Sequence, residues 1–326
     1  MPVSASSTKR WGLGAGRAIF GALLLYWLSR SGSIEWGALR GLYERWPLTL
    51  LALAILAVDV VVTSWRLCRL FAARGLRLSL ADASRLNLVA NLFNLFLPSA
   101  GGDMARIYYA VADAPGQRTT IATILFFDRV IGLVAMLLCP LLLMPGAIGL
   151  VRESAVLRSV LALGVGAALA LMALGVLLTS RRLRATTVAS WLLARMPMRA
   201  HVDSALETLR AFRARRYLLE ALGISIVAHL LSALVVVILL VATGGPSAFQ
   251  PVAFLSLVGF VANSVPLTPG GIGIGEAAFD SLFRLAGIAG GASAMIAWRL
   301  LLLSLAPAGL WVFLRGRRLQ GVTSTA

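Results

Sequence analysis

The chain has 326 residues, 59% of them apolar and 13% charged, with a formal net charge of +17 at pH 7. A soluble globular chain carries about a quarter charged residues, so these figures exclude an ordinary soluble domain. The charge does not mark a nucleic-acid binder, which needs a basic soluble domain; arginines in cytoplasmic loops facing anionic lipid account for it.

A bilayer core of about 30 Å takes roughly 20 apolar helical residues. The polar N-terminus up to Arg17 leads into a short apolar stretch, 18–28. We read it as a retained signal anchor, extended by snorkelling of Arg17 and Arg30. Stretches 48–65, 121–145, 157–178, 218–243 and 294–314 are each long enough to cross. Two others, 86–97 and 252–267, are short and end in helix breakers. The first runs into Pro98-Ser99-Ala100-Gly101-Gly102, the second into Pro266-Leu267-Thr268-Pro269-Gly270-Gly271. Proline removes a backbone donor and clashes with the preceding turn, and glycine opens backbone angles closed to other residues.

Charge decides how the short stretches run. Arg66, Arg69, Arg74, Arg77 and Arg85 make the first basic loop, nine arginines make the second, 181–216, and Arg315, Arg317 and Arg318 the C-terminal tail. With the weakly basic N-terminus, all should be cytoplasmic. Eight full crossings would put the nine arginines outside. If 86–97 and 252–267 instead dip in and return, one from each face, every basic segment falls inside. The expected fold is therefore an all-α polytopic membrane protein with about six full spans and two re-entrant broken-helix segments, eight membrane segments in one transmembrane domain, 1–326. Its halves, 10–150 and 155–318, would form an inverted four-plus-four repeat, the arrangement whose broken helices meet at a transport site. Loop 181–216, with Leu206, Leu209 and Phe212 among arginines, reads as an amphipathic interfacial helix.

An ionisable residue at the bilayer centre costs roughly 2.5–3.5 kcal/mol and so faces a partner or a cavity. Asp103 and Arg106 follow the first break at a spacing that lets them pair on a short helix. Asp128 and Arg129 sit in an apolar run, point about 100° apart on a helix, and each need a partner elsewhere, as an inter-helix clamp or as substrate contacts. Glu276 follows the glycine-rich second break, as a protonatable group or as an N-terminal cap charge. Arg299 in the last span would meet Glu276 or Asp128, and Asp59 would pair with Arg66. Asn87, Asn91 and Asn94 line one side of the first short helix and Asn263 is placed similarly in the second, beside Gly101, Gly102, Pro269, Gly270 and Gly271, as a head-group path or as inter-helical hydrogen-bond glue. Cys68 and Cys139 are isolated and His201 and His229 are the only histidines, so neither a metal site nor a cofactor is expected.

Asn91-Leu92-Phe93-Asn94-Leu95-Phe96-Leu97-Pro98 with Gly102-Asp103-Met104-Ala105-Arg106, then Asp128-Arg129-Val130-Ile131-Gly132-Leu133, then Pro266-Leu267-Thr268-Pro269-Gly270-Gly271-Ile272-Gly273 with Glu276, resemble the flippase-like membrane domain of lysylphosphatidylglycerol synthases. Asp128 stands where the family more often carries Glu. The resemblance covers nearly the whole chain and implies lipid translocation across the cytoplasmic (inner) membrane of a bacterium, with both termini cytoplasmic. The domain also occurs alone, in proteins linked to hopanoid or glycolipid pathways. Lysyl transfer belongs to a separate soluble domain in two-domain members, so the resemblance implies a transporter and not an enzyme. The implied partner is a membrane lipid: an anionic phospholipid, a hopanoid lipid or a polyprenyl-linked one. An intramembrane lipid-modifying enzyme, with Asp103 or Glu276 as base or metal ligand, and a non-catalytic scaffold of a lipid-synthesis complex are the alternatives.

Overall fold

The computed structural model describes Tyr26, Arg30 and residues 37–96, 101–112, 115–179, 215–264, 268, 271–315 and 323–324. The expected first span 18–28 apart from Tyr26, nearly all of loop 181–216 with its amphipathic helix, and break residues Pro98, Pro269 and Gly270 lie outside the described set.

Among the described residues, five helices are long and apolar enough to cross a membrane, and they coincide with the five long stretches of the sequence. They are α1 (Trp46–Ala72), α4 (Arg118–Leu143), α5 (Ala155–Thr179), α6 (Arg215–Ala242) and α9 (Gly291–Leu314). Pro47 sits in the first turn of α1, where the missing N–H costs nothing. Outward-facing positions such as Leu50, Val58, Leu163, Leu169 and Leu310 stay apolar and exposed, as lipid contact requires. The short stretches form broken pairs: α2 (Leu80–Phe96) with α3 (Gly101–Ala112), and α7 (Phe249–Asn263) with α8 (Ile274–Leu285). At 1.5 Å per residue these limbs are about 18 to 26 Å long, less than the hydrocarbon thickness of about 30 Å.

Each broken pair is a hairpin. α2 packs on α3, and α7 on α8. One apolar cluster gathers Leu70 and Phe71 at the end of α1, Ala83 at the start of α2, Ala110 at the end of α3, Ile121 at the start of α4 and Ala221 near the start of α6. The first hairpin therefore enters and leaves at one end of the bundle. A second cluster joins Ala52 of α1, Leu239 and Leu240 of α6, Val252 of α7, Phe283 of α8 and Ala294 of α9, so the other hairpin enters and leaves at the opposite end. Polar contacts agree. Arg69 pairs with Glu220 at one end, and Arg45 donates to the Val241 carbonyl at the other. Thr323–Ser324 pairs with Leu76–Arg77, which brings the C-terminal segment to the end that carries the first basic loop. The charge pattern and the packing of the hairpins thus agree with 86–97 and 252–267 dipping in and returning, one from each end.

Neighbour relations between the halves are reciprocal: α1 packs on α6, α2 on α9 and α7 on α4, while α3 packs on α4 and α8 on α9. The first hairpin is tight at its turn. The Gly102 N–H donates to Asn94 Oδ1 at 3.1 Å, and a Cβ at 102 would collide with the Ala90 carbonyl oxygen. Backbone cannot rotate away as a side chain can. We expect Gly102→Ala to lower stability by about 1–3 kcal/mol. Gly166→Ala in α5, which meets open space, should raise it by roughly 0.5–1 kcal/mol through helix propensity alone. Thermal unfolding in one detergent compares the two.

Candidate functional site

Among the described residues, four ion pairs in three groups tie the helices around the two breaks together. Asp128 on α4 is 1% exposed and binds two guanidiniums, Arg66 Nε at 2.7 Å and Arg106 Nη1 at 3.0 Å. Arg66 Nη1 also donates to Ser225 Oγ at 2.8 Å, and that hydroxyl donates to the Ala221 carbonyl one turn back. The cluster joins α1, α3, α4 and α6 and carries two positive charges against one negative. Gly132 makes room for it, since a Cβ there would stand 3.3 Å from Arg66 Nη1. Arg106 Nε and Nη2 are buried without a hydrogen-bond partner among the described residues.

The second group lies across the other break. Gly271 and Gly273 have φ of +72° and +84°, a region strained for other residues. That turn lets the Gly273 N–H donate to Glu276 Oε2 at 2.7 Å, so the carboxylate caps α8. Arg299 on α9 donates from Nε to Glu276 Oε1 at 2.5 Å. Its Nη2 donates to the Gly271 carbonyl at 2.7 Å and to Asn263 Oδ1 at 3.2 Å. One guanidinium thus ties α7, the break, α8 and α9 together. The third group, Arg129 Nε to Asp103 Oδ2 at 3.1 Å, joins α4 to the start of α3 and leaves the Arg129 side chain 62% exposed.

Two expected pairings do not form. Asp103 and Arg106 do not pair with each other: Asp103 goes to Arg129 and Arg106 to Asp128. Asp59 does not hold Arg66, which Asp128 takes; Asp59 Oδ1 lies buried midway along α1 with no hydrogen-bond partner among the described residues. Of the two roles open to Glu276, the geometry is that of the cap charge, locked further by Arg299. Arg299 meets Glu276 and not Asp128.

A cavity of about 530 Å³ lies between the two hairpins. Asn91 and Asn94 line it from α2, Asn263 from α7, and Thr268 and Gly271 from the second break. Arg129 and Arg299 supply its cationic groups. Asp103, Arg106, Asp128 and Glu276 do not line it; they hold the cationic side chains or the helices around it. Gly101 and Gly102 open α3 beside Asn94.

Three features of the site are not evident from the sequence pattern. Arg66 looks like part of a basic loop, yet it is buried inside α1. His229, midway along α6, lines the cavity, and its Nε2 lies 3.0 Å from the Gly132 carbonyl. An acceptor there requires the proton on Nε2. A lone histidine in an apolar span is the available signal. Lastly, Pro140 interrupts α4 and Pro307 interrupts α9. Each deprives the carbonyl four residues earlier of its helical donor. Those carbonyls belong to Met136 and Leu303, and both residues line the cavity.

Fold and site define a polytopic helical membrane protein with a polar cavity between two opposed broken-helix hairpins. Residues 14–309 match the family described as the lysylphosphatidylglycerol synthase TM region. The chain belongs to that family, which ties it to membrane lipids. No curated protein and no solved structure matches it.

Proposed function

We propose that this protein carries a lipid with an anionic or glycosylated head group across the cytoplasmic membrane of a bacterium. The observation that carries the reading is the cavity. About 530 Å³ of space is lined by three asparagines and two arginines, inside a bundle otherwise faced with apolar side chains. Non-helical backbone and polar groups at membrane depth are tolerated where they line such a cavity. The head group enters between the hairpins and meets Arg129, the most open of the cationic groups there, while the acyl chains stay in lipid. The reciprocal packing of the halves supports an inverted repeat, with alternating access produced by rocking one half against the other. The basic segments at one end of the bundle support a cytoplasmic location for that end, and with it for both termini. The work is transport rather than bond chemistry. Anionic phospholipids, hopanoid lipids and polyprenyl-linked lipids all fit the lining.

The test is mass spectrometry of lipids that co-purify with the gently solubilised protein, beside Arg129→Ala. We expect one lipid class enriched over bulk membrane and lost in the variant, with the melting temperature little changed, because a largely exposed ion pair contributes about 0–1 kcal/mol. Bound lipids that mirror the membrane in both proteins would defeat the reading.

A further inference from the structure

A second cavity, also of about 530 Å³, lies on the seam between α1 and α6 and shares no residue with the first. Its walls are two helical stripes. On α1, Val62, Trp65 and Arg69 follow one another at i, i+3 and i+7; on α6, Arg216, Glu220, Gly223 and Val227 follow at i, i+4, i+7 and i+11. Residues at these spacings share one helix face. Both stripes are graded in the same sense. Charge sits at the end of the bundle that carries the basic loops, and the walls turn apolar toward the middle, over about 10 Å on α1 and 16 Å on α6.

At the charged end, Glu220 is shared. Arg69 donates to Oε2 at 2.6 Å and Arg216 to Oε1 at 2.8 Å. Two guanidiniums against one carboxylate leave a surplus positive charge. Arg69 also lies 5.3 Å from the Tyr217 ring centroid, which holds it at the mouth of the groove. Trp65 and Val227 are each about half exposed, so the apolar part opens sideways to lipid. A Cβ built on Gly223 meets nothing within 4 Å; the missing side chain is what makes the floor of the groove.

We propose that this groove is a binding site for one anionic phospholipid of the cytoplasmic leaflet, separate from the transport cavity. The phosphate meets the free donors of Arg69 and Arg216, and an acyl chain lies over Gly223 between Trp65 and Val227. Basic pockets between membrane helices on the cytoplasmic side take anionic head groups in this way, and the volume is that of an ordinary ligand site. The occupant bridges α1 and α6, so it stabilises the folded bundle in proportion to its occupancy. The site does not depend on the transport reading.

The test is native mass spectrometry of the full-length protein, titrated with dioleoylphosphatidylglycerol or dioleoylphosphatidylcholine, alongside thermal unfolding in each lipid. Wild type should bind the first phosphatidylglycerol at least fivefold more tightly than phosphatidylcholine and melt at a higher temperature in it. Gly223→Phe puts a ring into the groove from a position where a Cβ meets nothing within 4 Å, and it gains helix propensity. It should lose both the preference and the lipid-dependent rise in Tm, while melting in phosphatidylcholine no lower than wild type. Arg216→Gln, at a side chain 80% exposed, should weaken the preference without filling the groove. The proposal is overturned if wild type shows no preference, if both variants keep it, or if millimolar inorganic phosphate displaces the lipid and so assigns the arginines to a soluble ligand. Arg129→Ala, which tests the transport cavity, should leave this binding intact.

Discussion

Asp128→Ala is expected to be the most damaging single substitution in the bundle, costing about 3–5 kcal/mol of stability. The carboxylate is 1% exposed and answers two guanidiniums whose side chains are 11% and 8% exposed. Removing it leaves two buried positive charges facing each other with nothing between them. Removing one of the arginines is a different matter. Arg66→Met leaves Asp128 paired with Arg106, a neutral couple, and should cost clearly less, although Ser225 loses its donor. The surplus charge of the cluster thus sets the order of the two variants. Cys139 is buried and Cys68 only partly so, so in a Cys68→Ser background a thiol-reactive dye reports unfolding in detergent and gives both melting temperatures in one assay. If Arg66→Met melts no higher than Asp128→Ala, the carboxylate is not the group that holds the cluster.

That cluster also shows where reading the sequence stops. Asp103 and Arg106 stand at i, i+3, and an isolated helix rewards such a pair with about 0.2–0.5 kcal/mol. Asp128 sits inside an apolar span, and leaving it unpaired costs roughly 2.5–3.5 kcal/mol on insertion scales. The burial cost of Asp128 outweighs the local pair several-fold, and Arg106 turns to Asp128. Asp103 then meets Arg129, whose direction on α4 differs from that of Asp128 by about 100°. The need for outside partners was legible in adjacent Asp128 and Arg129; the identity of those partners was not, because it depends on which face of α3 meets α4. Arg66 was hidden for a related reason. Arginines near a span end look like loop charge, and only the length of α1, which runs on to Ala72, puts Arg66 inside.

The hairpins were more legible than the pairs. Hydropathy marked 86–97 and 252–267 as short, and the basic segments fixed the parity of crossings. Both signals are one-dimensional, and they suffice because charge placement relative to the bilayer is itself one-dimensional. The cavity needed three dimensions. Asn91 and Asn94 lie in one half of the chain and Asn263 in the other, and amides so placed fit inter-helical hydrogen bonds as well as a lined path. Asn87 takes the former role, donating to Ser64 Oγ at 2.9 Å, Asn91 lines the space, and Asn94 does both, lining it while accepting the Gly102 N–H. The prolines of α4 and α9 were visible throughout, but their meaning appears only when Met136 and Leu303 turn out to line one cavity.

Glu276→Gln is the second large effect we expect, and it bears on transport more than on folding. Glutamine retains an oxygen able to accept the Gly273 N–H, so α8 keeps its cap. The charge opposite Arg299 is lost. In the native protein that guanidinium holds Glu276, Asn263 and the Gly271 carbonyl, so in the proposed transport an anionic head group would meet a largely compensated cation, bind, and also leave. In the variant that guanidinium, 18% exposed, has lost the carboxylate charge that faced it and borders the same space. A hydrogen bond to a charged group is worth about 1.5–3 kcal/mol, which slows release roughly 10- to 100-fold. The expected result in proteoliposomes is transport reduced by about tenfold or more, together with more anionic lipid retained on purification. The two readouts separate this account from proton coupling at Glu276, which predicts lost transport with unchanged retention. Wild-type rates in Glu276→Gln would remove Glu276 and Arg299 from the transport cycle altogether.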